Sequence, residues 1–430
     1  MTWVDIPTFV LLFKLILNKM TLFNIKQTLF VIAIISLIVS CKKDEVKPTT
    51  NNNTTDTITK VGYIVPTTYT FNDTSSKSTV DFSGQKTRLV MLEQIGNLMG
   101  GTLPVKESSL LNMFDGTGFT VDSLNTSGKR LSDKTAASID YFTGNLGEKN
   151  EILDAFKKQM KEAEVATNAN IEASEGKAGS YIDETKKRYF SANGLEPQQV
   201  FLKGIMGACL LDQTLNSYLS STKLDGGSTK TDNTNRVLVS GKNYTTMEHA
   251  WDEAYGYIFG NDNLNANPAI YKYWSSYINQ VDVDPDFSTV KENIINAFIK
   301  GRAAITNKDY ITRDAQIAII KKEMSKVVAV RAVYYMNEGK GKLAMDNGKA
   351  AFHALSEGYG FIWSLRFTQN PDTKLPYFSK EEVKSLLDRL MGGKNGLYDV
   401  DYLNIELDKI AQDIATRFGF TLGQAIDATK

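Results

Sequence analysis

Apolar residues recur at helical spacing through most of this 430-residue chain, and this periodicity limits the folds open to it. Residues three and four apart share one face of a helix, so a repeating apolar stripe predicts an amphipathic helix that packs by that stripe. The predicted helical segments are residues 85–99, 132–142, 148–173, 197–219, 290–305, 312–336, 350–367, 380–391 and 402–418. Strand-like alternation is scarce. We therefore expect an all-α fold of antiparallel helical bundles.

Two segments of the body depart from this pattern. Residues 62–71, GYIVPTTYTF, are rich in β-branched and aromatic residues, but Pro66 cannot donate to a strand ladder. We expect this segment to be a short extended N-terminal edge or strap laid across helices. Residues 220–243 are polar and aperiodic, which predicts a mobile surface loop.

The first residues of the chain have the features of a targeting signal. An apolar run at residues 29–39 follows Lys26 and is too short to span a membrane, which is typical of a signal peptide. The run leads into Cys41, and this junction resembles the bacterial lipobox, in which the cysteine becomes the lipidated first residue. We expect residues 1–41 to be a signal peptide ending at lipidated Cys41. An uncleaved anchor helix is the alternative.

The residues after Cys41 indicate where the protein is anchored. Lys42-Lys43-Asp44-Glu45 resembles the lysine-plus-acid signal of lipoproteins on the outer face of the outer membrane. Residues 42–60 are rich in Thr, Asn, Asp and Lys, so they have little apolar surface to bury and are predicted to be a disordered tether. We therefore expect a surface-exposed protein that is attached to the outer membrane by a lipid on Cys41.

Charge and cysteine content exclude other classes of partner and site. The chain has 49 basic and 49 acidic residues and no basic stretch, so nucleic acid is not an expected partner. Apart from Cys41 it has one cysteine, Cys209, which excludes a disulfide within the mature chain and a thiolate metal cluster. We expect Cys209 to be a buried core residue.

Both histidines of the chain occur in the same short phrase. HAWDEAYGYIF begins at His249 and HALSEGYGFIW begins at His353, and the two share His, Ala, Glu, Tyr, Gly and Ile at aligned positions. We interpret this as an internal repeat. It predicts a pseudo-duplicated body of two similar bundles, at about residues 61–265 and 266–430.

Each phrase places its shared residues on one helix face. The sequence of residues 245–248 has the form of a capping box, which predicts that a helix begins there. Residues four and seven positions after each histidine then lie above it on the same side. The shared face consists of His249, Glu253 and Gly256 in the first phrase and of His353, Glu357 and Gly360 in the second. At the glycines we expect close approach of another helix or of a ligand.

The histidine and glutamate of each face are candidate metal ligands. Imidazole nitrogen and carboxylate oxygen suit a borderline metal such as ferrous iron or zinc. Two ligands bind weakly, so a full site requires the two faces to meet and supply both pairs. Asp252 is a candidate supporting residue, but it and Glu248 have no counterpart in the second phrase and are expected to be solvated or local. The alternative is that each histidine bonds its own glutamate or a nearby carbonyl, as a repeated packing motif.

Three phrases of the chain carry a family resemblance. VDFSGQKTRLVMLEQI (80–95), LKGIMGACLLDQ (202–213) and MEHAWDEAYGYIFG (247–260) resemble the domain-of-unknown-function family 4856 of lipoproteins, over most of the chain after Gly62. That family is similar in turn to imelysin-like proteins, which are two-bundle helical envelope proteins linked to iron acquisition. The resemblance implies an imelysin-like fold and a role in iron uptake.

The match to the imelysin motif is partial. That motif reads Gly-x-His-x-x-Glu, whereas here the spacing is His-x-x-x-Glu and no glycine stands two residues before either histidine. The residues that correspond are the two histidines, His249 and His353, with Glu253 and Glu357 as their partners.

Two functions follow as hypotheses. In the first, the protein is a surface lipoprotein that binds iron, as an ion or as haem, and passes it to an outer-membrane transporter. In the second, it is a non-catalytic envelope interaction scaffold or glycan-binding protein in which the repeat is structural. The chain has neither a His-Glu-x-x-His motif nor a Gly-x-Ser-x-Gly elbow, so enzymatic activity is not expected.

Overall fold

A computed structural model describes residues 62–426 of the chain. The α-helices of this range are α1 (Ser83–Met99), α2 (Glu107–Phe114), α3 (Asp122–Asn125), α4 (Ile139–Phe142), α5 (Leu146–Asn168), α6 (Pro197–Ile205), α7 (Ser221–Asp225), α8 (Thr229–Thr234), α9 (Thr246–Phe259), α10 (Trp274–Asp282), α11 (Val290–Thr306), α12 (Tyr310–Lys342), α13 (Phe352–Ser364), α14 (Lys380–Leu390), α15 (Val400–Phe418) and α16 (Leu422–Ile426). Strands β1 (Gly179–Asp183) and β2 (Lys186–Phe190) pair in an antiparallel hairpin. Short π-helices and 3₁₀-helices occur at Met206–Leu211, Thr214–Tyr218, Asp346–Ala351, Leu365–Phe367 and Gly396–Tyr398. Most described residues are helical, so the all-α prediction is confirmed.

The 33-residue helix α12 is the centre of the packing. It contacts α11, α13 and α15, and its N-cap residue is Asp309, whose side chain accepts a hydrogen bond from the backbone N–H of Thr312 at 3.0 Å. Helix α13 also packs on α6, and α6 packs on α5. Helices from both sides of residue 265 therefore contact each other directly. The division into two similar bundles stays a prediction.

The helix predicted over residues 197–219 has an unusual interior. It begins as α6 and continues through the π-helices Met206–Leu211 and Thr214–Tyr218, a form that widens the helix and is frequent near functional sites. Gly207 lies within this run, and a Cβ atom there would be 2.2 Å from the Ser364 hydroxyl oxygen. The absence of a side chain at Gly207 lets the run approach the end of α13.

Several local predictions need correction. The hairpin of β1 and β2 was not predicted, and the helix expected over residues 132–142 is confined to α4. The loop expected over residues 220–243 contains α7 and α8. Residues 62–71 do not form a β-strand. Phe71 packs on Ile299 and Ala303 of α11, which agrees with a strap laid across helices.

The N-terminal predictions concern residues that the structure does not describe. The signal peptide at residues 1–41, its lipid-attachment residue Cys41 and the tether at residues 42–60 all lie outside the described range. Within residues 62–426, no helix has both the length and the apolar character needed to cross a bilayer.

Candidate functional site

The first phrase of the repeat lies on α9, which begins where the sequence predicts. The side chain of Thr245 accepts a hydrogen bond from the Glu248 N–H at 3.2 Å, and the Glu248 carboxylate accepts one from the Thr245 N–H at 2.8 Å. The predicted capping box is therefore confirmed. It fixes the start of the helix and so places His249 in the first turn.

His249 lies beside Glu253 without bonding it closely. Its ring stacks on Tyr244 with the ring centroids 4.7 Å apart, and its Nε2 is 4.0 Å from Oε1 of Glu253. Its Nδ1 is buried and has no hydrogen-bond partner among the described residues. An unpaired buried ring nitrogen is costly unless water or a ligand satisfies it.

Glu253 is held by neutral donors. It accepts hydrogen bonds from the Gln85 amide at 2.9 Å and from the Tyr218 hydroxyl at 3.2 Å. Burial, and then the charge of Glu253, raise the pKa of Tyr218 above its ordinary value, so the hydroxyl stays a donor. The ammonium of Lys134 lies 5.4 Å from the centroid of the Tyr218 ring.

His353, on α13, bonds a carboxylate outside the repeat. Its Nδ1 is 2.6 Å from Oε2 of Glu196, the residue that precedes α6. The guanidinium of Arg188, on β2, lies 3.4 Å from the same carboxylate and 2.8 Å from Asp183. His353 is therefore one end of a polar chain that ties α13 to the start of α6 and to the hairpin.

Glu357 forms a buried ion pair. Its carboxylate is 2.9 Å from Nζ of Lys203 on α6, and both side chains are about nine-tenths buried. Burial by itself raises the pKa of Glu357, but the Lys203 ammonium and His353, with hydrogen bonds from Tyr335 and Lys203, lower it to about 2. The carboxylate is therefore ionised at neutral pH and already neutralised by a cation.

The two glycines of the repeat lie at close contacts between helices. A Cβ atom at Gly256 would be 2.4 Å from Cβ of Phe82 and 3.2 Å from Cβ of Gln85. A Cβ atom at Gly360 would be 2.4 Å from Cβ of Lys203. At Gly360 the nearest side chain, Lys203, also bonds the glutamate of the same phrase, whereas at Gly256 the nearest side chain is Phe82 and the bond to the glutamate comes from the next neighbour, Gln85. Each phrase therefore packs its glycine on a helix that also bonds its glutamate, α1 in the first phrase and α6 in the second.

The structure does not bring the four candidate ligands together as one set. Among residues 62–426, no group of three or more His, Cys, Asp or Glu side chains is arranged to hold a metal ion. His249 and Glu253 lie near each other, whereas the second pair is engaged with Glu196 and Lys203.

Comparison with known proteins identifies the family. The family described as "Domain of unknown function (DUF4856)" matches residues 66–421, which is most of the chain. The chain belongs to the DUF4856 family. The resemblance to this family is thus confirmed, whereas the further likeness to imelysin stays a prediction. No curated protein and no solved structure is a significant match.

Asp252 of this DUF4856 chain is not a solvated neighbour of the repeat, contrary to expectation. It is fully buried and 3.0 Å from Nε of Arg302 on α11, which is also fully buried. The same guanidinium lies 2.9 Å from Glu248, which is 1% exposed. Burial raises the pKa of Asp252, although the Arg302 charge and hydrogen bonds oppose this.

The buried cluster of Glu248, Asp252 and Arg302 also holds the N-terminal strap, residues 62–71, of the DUF4856 domain. The Tyr69 hydroxyl donates to Asp252 at 2.7 Å, and the Tyr69 ring stacks on Tyr255 with the centroids 3.6 Å apart. The Arg302 guanidinium lies 5.0 Å from the centroid of the Phe71 ring. The sequence signal for this cluster was Arg302 itself, which stands among the apolar residues of α11. An arginine on the buried side of a helix requires an acidic partner.

Proposed function

We propose that this chain is a lipid-anchored envelope protein whose helical domain binds a partner or ligand without catalysing a reaction, and that the His-x-x-x-Glu repeat is a structural element of that domain. One observation carries the proposal. In both phrases, the glutamate bonds a residue that also lies beside the glycine, Gln85 in one case and Lys203 in the other. A motif that joins two helices in this way uses its polar side chains internally.

The charges of the second phrase favour this structural role. Glu357 already has an ammonium 2.9 Å away, and a divalent cation at this carboxylate would be repelled by Lys203. Nδ1 of His353 is hydrogen-bonded to Glu196. This contact fixes the orientation of the ring and makes Nδ1 unavailable as a metal ligand. The packing hypothesis explains both contacts without a bound group.

Metal content tests the structural role. We expect the purified chain and its His249→Ala/His353→Ala variant to contain equal, substoichiometric iron and zinc by elemental analysis. The variant should be less stable to urea by about 1–3 kcal/mol, because buried Glu196 loses one of its partners and keeps only Arg188. Stoichiometric metal in the unsubstituted chain that disappears in the variant would overturn the proposal.

A second candidate is the binding of iron, as an ion or as haem, for transfer to an outer-membrane transporter. The specific observation that favours it is the buried Nδ1 of His249, which lacks a partner in the described part of the chain, on a ring 4.0 Å from Glu253. In the second phrase the corresponding Nδ1 is bonded to Glu196. His249 would hold the iron through Nδ1, and Glu253, which lies beside the other ring nitrogen, would orient the imidazole.

Single substitutions separate the two candidates. Iron binding at the first phrase requires that His249→Ala abolish binding of ferrous iron or haemin, that His353→Ala leave it intact, and that affinity fall between about pH 7.5 and about pH 5 as imidazole is protonated. Calorimetry and haem absorbance measure both. Unchanged binding in His249→Ala would exclude this site.

The proposed anchor is tested apart from the ligand. If Cys41 carries the lipid, Cys41→Ser should move the protein from the membrane fraction to the soluble fraction. Protease added to intact cells should cut the unsubstituted protein if it faces outward. Recovery of the unsubstituted protein in the soluble periplasmic fraction would contradict the anchor.

A further inference from the structure

A cleft runs between α5 and α14, over a floor formed by α13, and its lining does not include the His or Glu side chains of the repeat. It consists of two adjoining cavities of about 280 Å³ and about 470 Å³. Both cavities are lined by Lys158, Gln159, Tyr359 and Leu387, so these residues mark the point where the two join. Taken together, the two cavities are in the size range that holds small ligands.

The smaller cavity has an apolar floor. Ile152 and Ala155 of α5 face Val383 and Leu387 of α14 across it, with Trp363 of α13 below. The Trp363 ring stacks on Phe156 with the centroids 4.5 Å apart, so it is supported from the core side. Burying an apolar group here would remove its surface from water without deforming the floor.

The charges at the mouth leave one cation uncompensated. Arg366, Lys380 and Lys384 each pair with a carboxylate, from Glu148, Glu151 and Asp388 respectively. Lys158, at the junction of the two cavities, forms no ion pair or hydrogen bond with any described residue. The interior of the smaller cavity is therefore apolar. Its rim carries a net positive charge, which is located at Lys158.

The junction also offers neutral hydrogen-bonding groups. The Gln159 amide and the Tyr359 hydroxyl bond none of the residues described. Burial, and then Asp388, raise the pKa of Tyr359, so its hydroxyl is protonated at neutral pH and available as a donor. Glu162 and Asp388 line the larger cavity and would repel an anion that moved further along the cleft.

We propose that this cleft binds a small amphiphilic anion, a molecule with one carboxylate or similar group and an apolar body. The anionic group lies at Lys158 and Tyr359, and the apolar body lies in the smaller cavity over Trp363. Charge complementarity selects the head, because Lys158 is the cation at the mouth that no carboxylate neutralises. The proposal uses Tyr359 and Trp363 of the second phrase but does not depend on the role of the repeat's His and Glu side chains.

Calorimetric titration tests the proposal with decanoate as probe and decylammonium as its matched cation. The chain beginning at Lys42 is suitable, since it keeps the whole compact unit Gly62–Lys430. We expect saturable binding of decanoate and at least about tenfold weaker binding of decylammonium, the effect of exchanging an attractive charge for a repulsive one.

Three variants locate the site. Lys158→Met should weaken decanoate binding about tenfold, the order expected for one charge-assisted hydrogen bond. Ala155→Phe should abolish it by filling the smaller cavity. Lys157→Met is the control, because Lys157 is exposed on the same helix and pairs with Asp154 outside the cleft. Melting temperatures check that the variants fold.

Three results would overturn the proposal. The first is the absence of saturable decanoate binding to the unsubstituted chain. The second is equal affinity for decanoate and decylammonium, which would show that the head charge is not recognised. The third is equal weakening by Lys157→Met and Lys158→Met, which would show that the effect comes from overall charge.

Discussion

Gly360 lies directly against Lys203, so that a Cβ atom at position 360 would be 2.4 Å from the Cβ of the lysine. Gly256 meets Phe82 at the same distance in the other phrase of the repeat. Neither neighbouring atom is the far end of a flexible side chain. An added methyl group would therefore have to push two helices apart, α13 from α6 or α9 from α1.

Alanine at either glycine should destabilise the fold. We expect Gly360→Ala and Gly256→Ala each to lower the free energy of unfolding by about 1–3 kcal/mol, as overpacked core substitutions do. Urea unfolding followed by circular dichroism measures this. Gly341→Ala is the matched control, because Gly341 is in α12 and has open space around its Cβ position. There the added methyl should stabilise by about 0.5–1 kcal/mol. Equal effects at all three positions would contradict the contact.

The two glutamates of the repeat should respond differently to neutralisation. Glu357→Gln leaves the buried Lys203 ammonium without a counter-charge and should cost about 3 kcal/mol. Glu253→Gln keeps a carbonyl oxygen for the Gln85 amide and the Tyr218 hydroxyl, so its cost should be about 1 kcal/mol or less. Urea midpoints compare the two variants. A larger loss for Glu253→Gln would show that a nearby cation such as Lys134 depends on that carboxylate.

Much of the fold could be predicted because it depends on local pattern. The apolar stripe of residues 290–305 matches α11 almost to the residue, and the capping box at Thr245 marks the start of α9. The hairpin could not be predicted in this way. Strand β2 reads Lys-Lys-Arg-Tyr-Phe, in which three consecutive charged residues hide any alternation. Composition likewise hid α7 and α8, whose residues are mostly polar.

The repeat could be found from the sequence, but its partners could not. Gln85 and Glu253 are 168 residues apart, and nothing in either local sequence indicates the contact. The same holds for Arg302 and Asp252, whose ion pair turns an apparently solvated acid into a buried one. Spacing within a helix predicts which residues share a face. It does not predict what that face meets.

Removing one member of the Asp252–Arg302 pair should lower the free energy of unfolding by more than the intact pair contributes to it. Arg302→Met alone leaves buried Asp252 and Glu248 without the cation they share and should cost about 3–5 kcal/mol. Asp252→Asn alone keeps Arg302 paired with Glu248 and should cost less. The double variant should cost less than the sum of the two, which a double-mutant cycle in urea measures. Additive losses would contradict this coupling.

An exposed pair gives the control for this cycle, and proteolysis gives a second readout. Lys384 and Asp388 form an ion pair one helical turn apart on α14, and the same cycle there should give about 0.5 kcal/mol or less. Because Tyr69 donates to Asp252, Asp252→Asn should also speed cleavage of the strap by limited proteolysis.

Asp212 is a buried acid with only neutral hydrogen-bond partners. It lies between the two π-helices, fully buried, and accepts hydrogen bonds from the Ser138 N–H at 3.1 Å and from the Asn216 amide at 3.1 Å. Burial raises its pKa from the ordinary 3.8 to about 7, although the hydrogen bonds oppose the shift. Between about pH 4 and about pH 7, Asp212 is therefore protonated in the folded state and ionised in the unfolded chain.

This proton predicts how stability changes with pH. The contribution of Asp212 is fully present below about pH 4 and is lost as the pH rises through about 7, because the unfolded state ionises first. Asp212→Asn removes the titration, so its free energy of unfolding should fall less between about pH 5 and about pH 8 than that of the unsubstituted chain. Asp154→Asn, at an exposed acid paired with Lys157, should leave the pH dependence unchanged. Urea unfolding at the two pH values measures all three chains. Identical curves for the unsubstituted chain and Asp212→Asn would mean that Asp212 is ionised in the folded protein throughout this range.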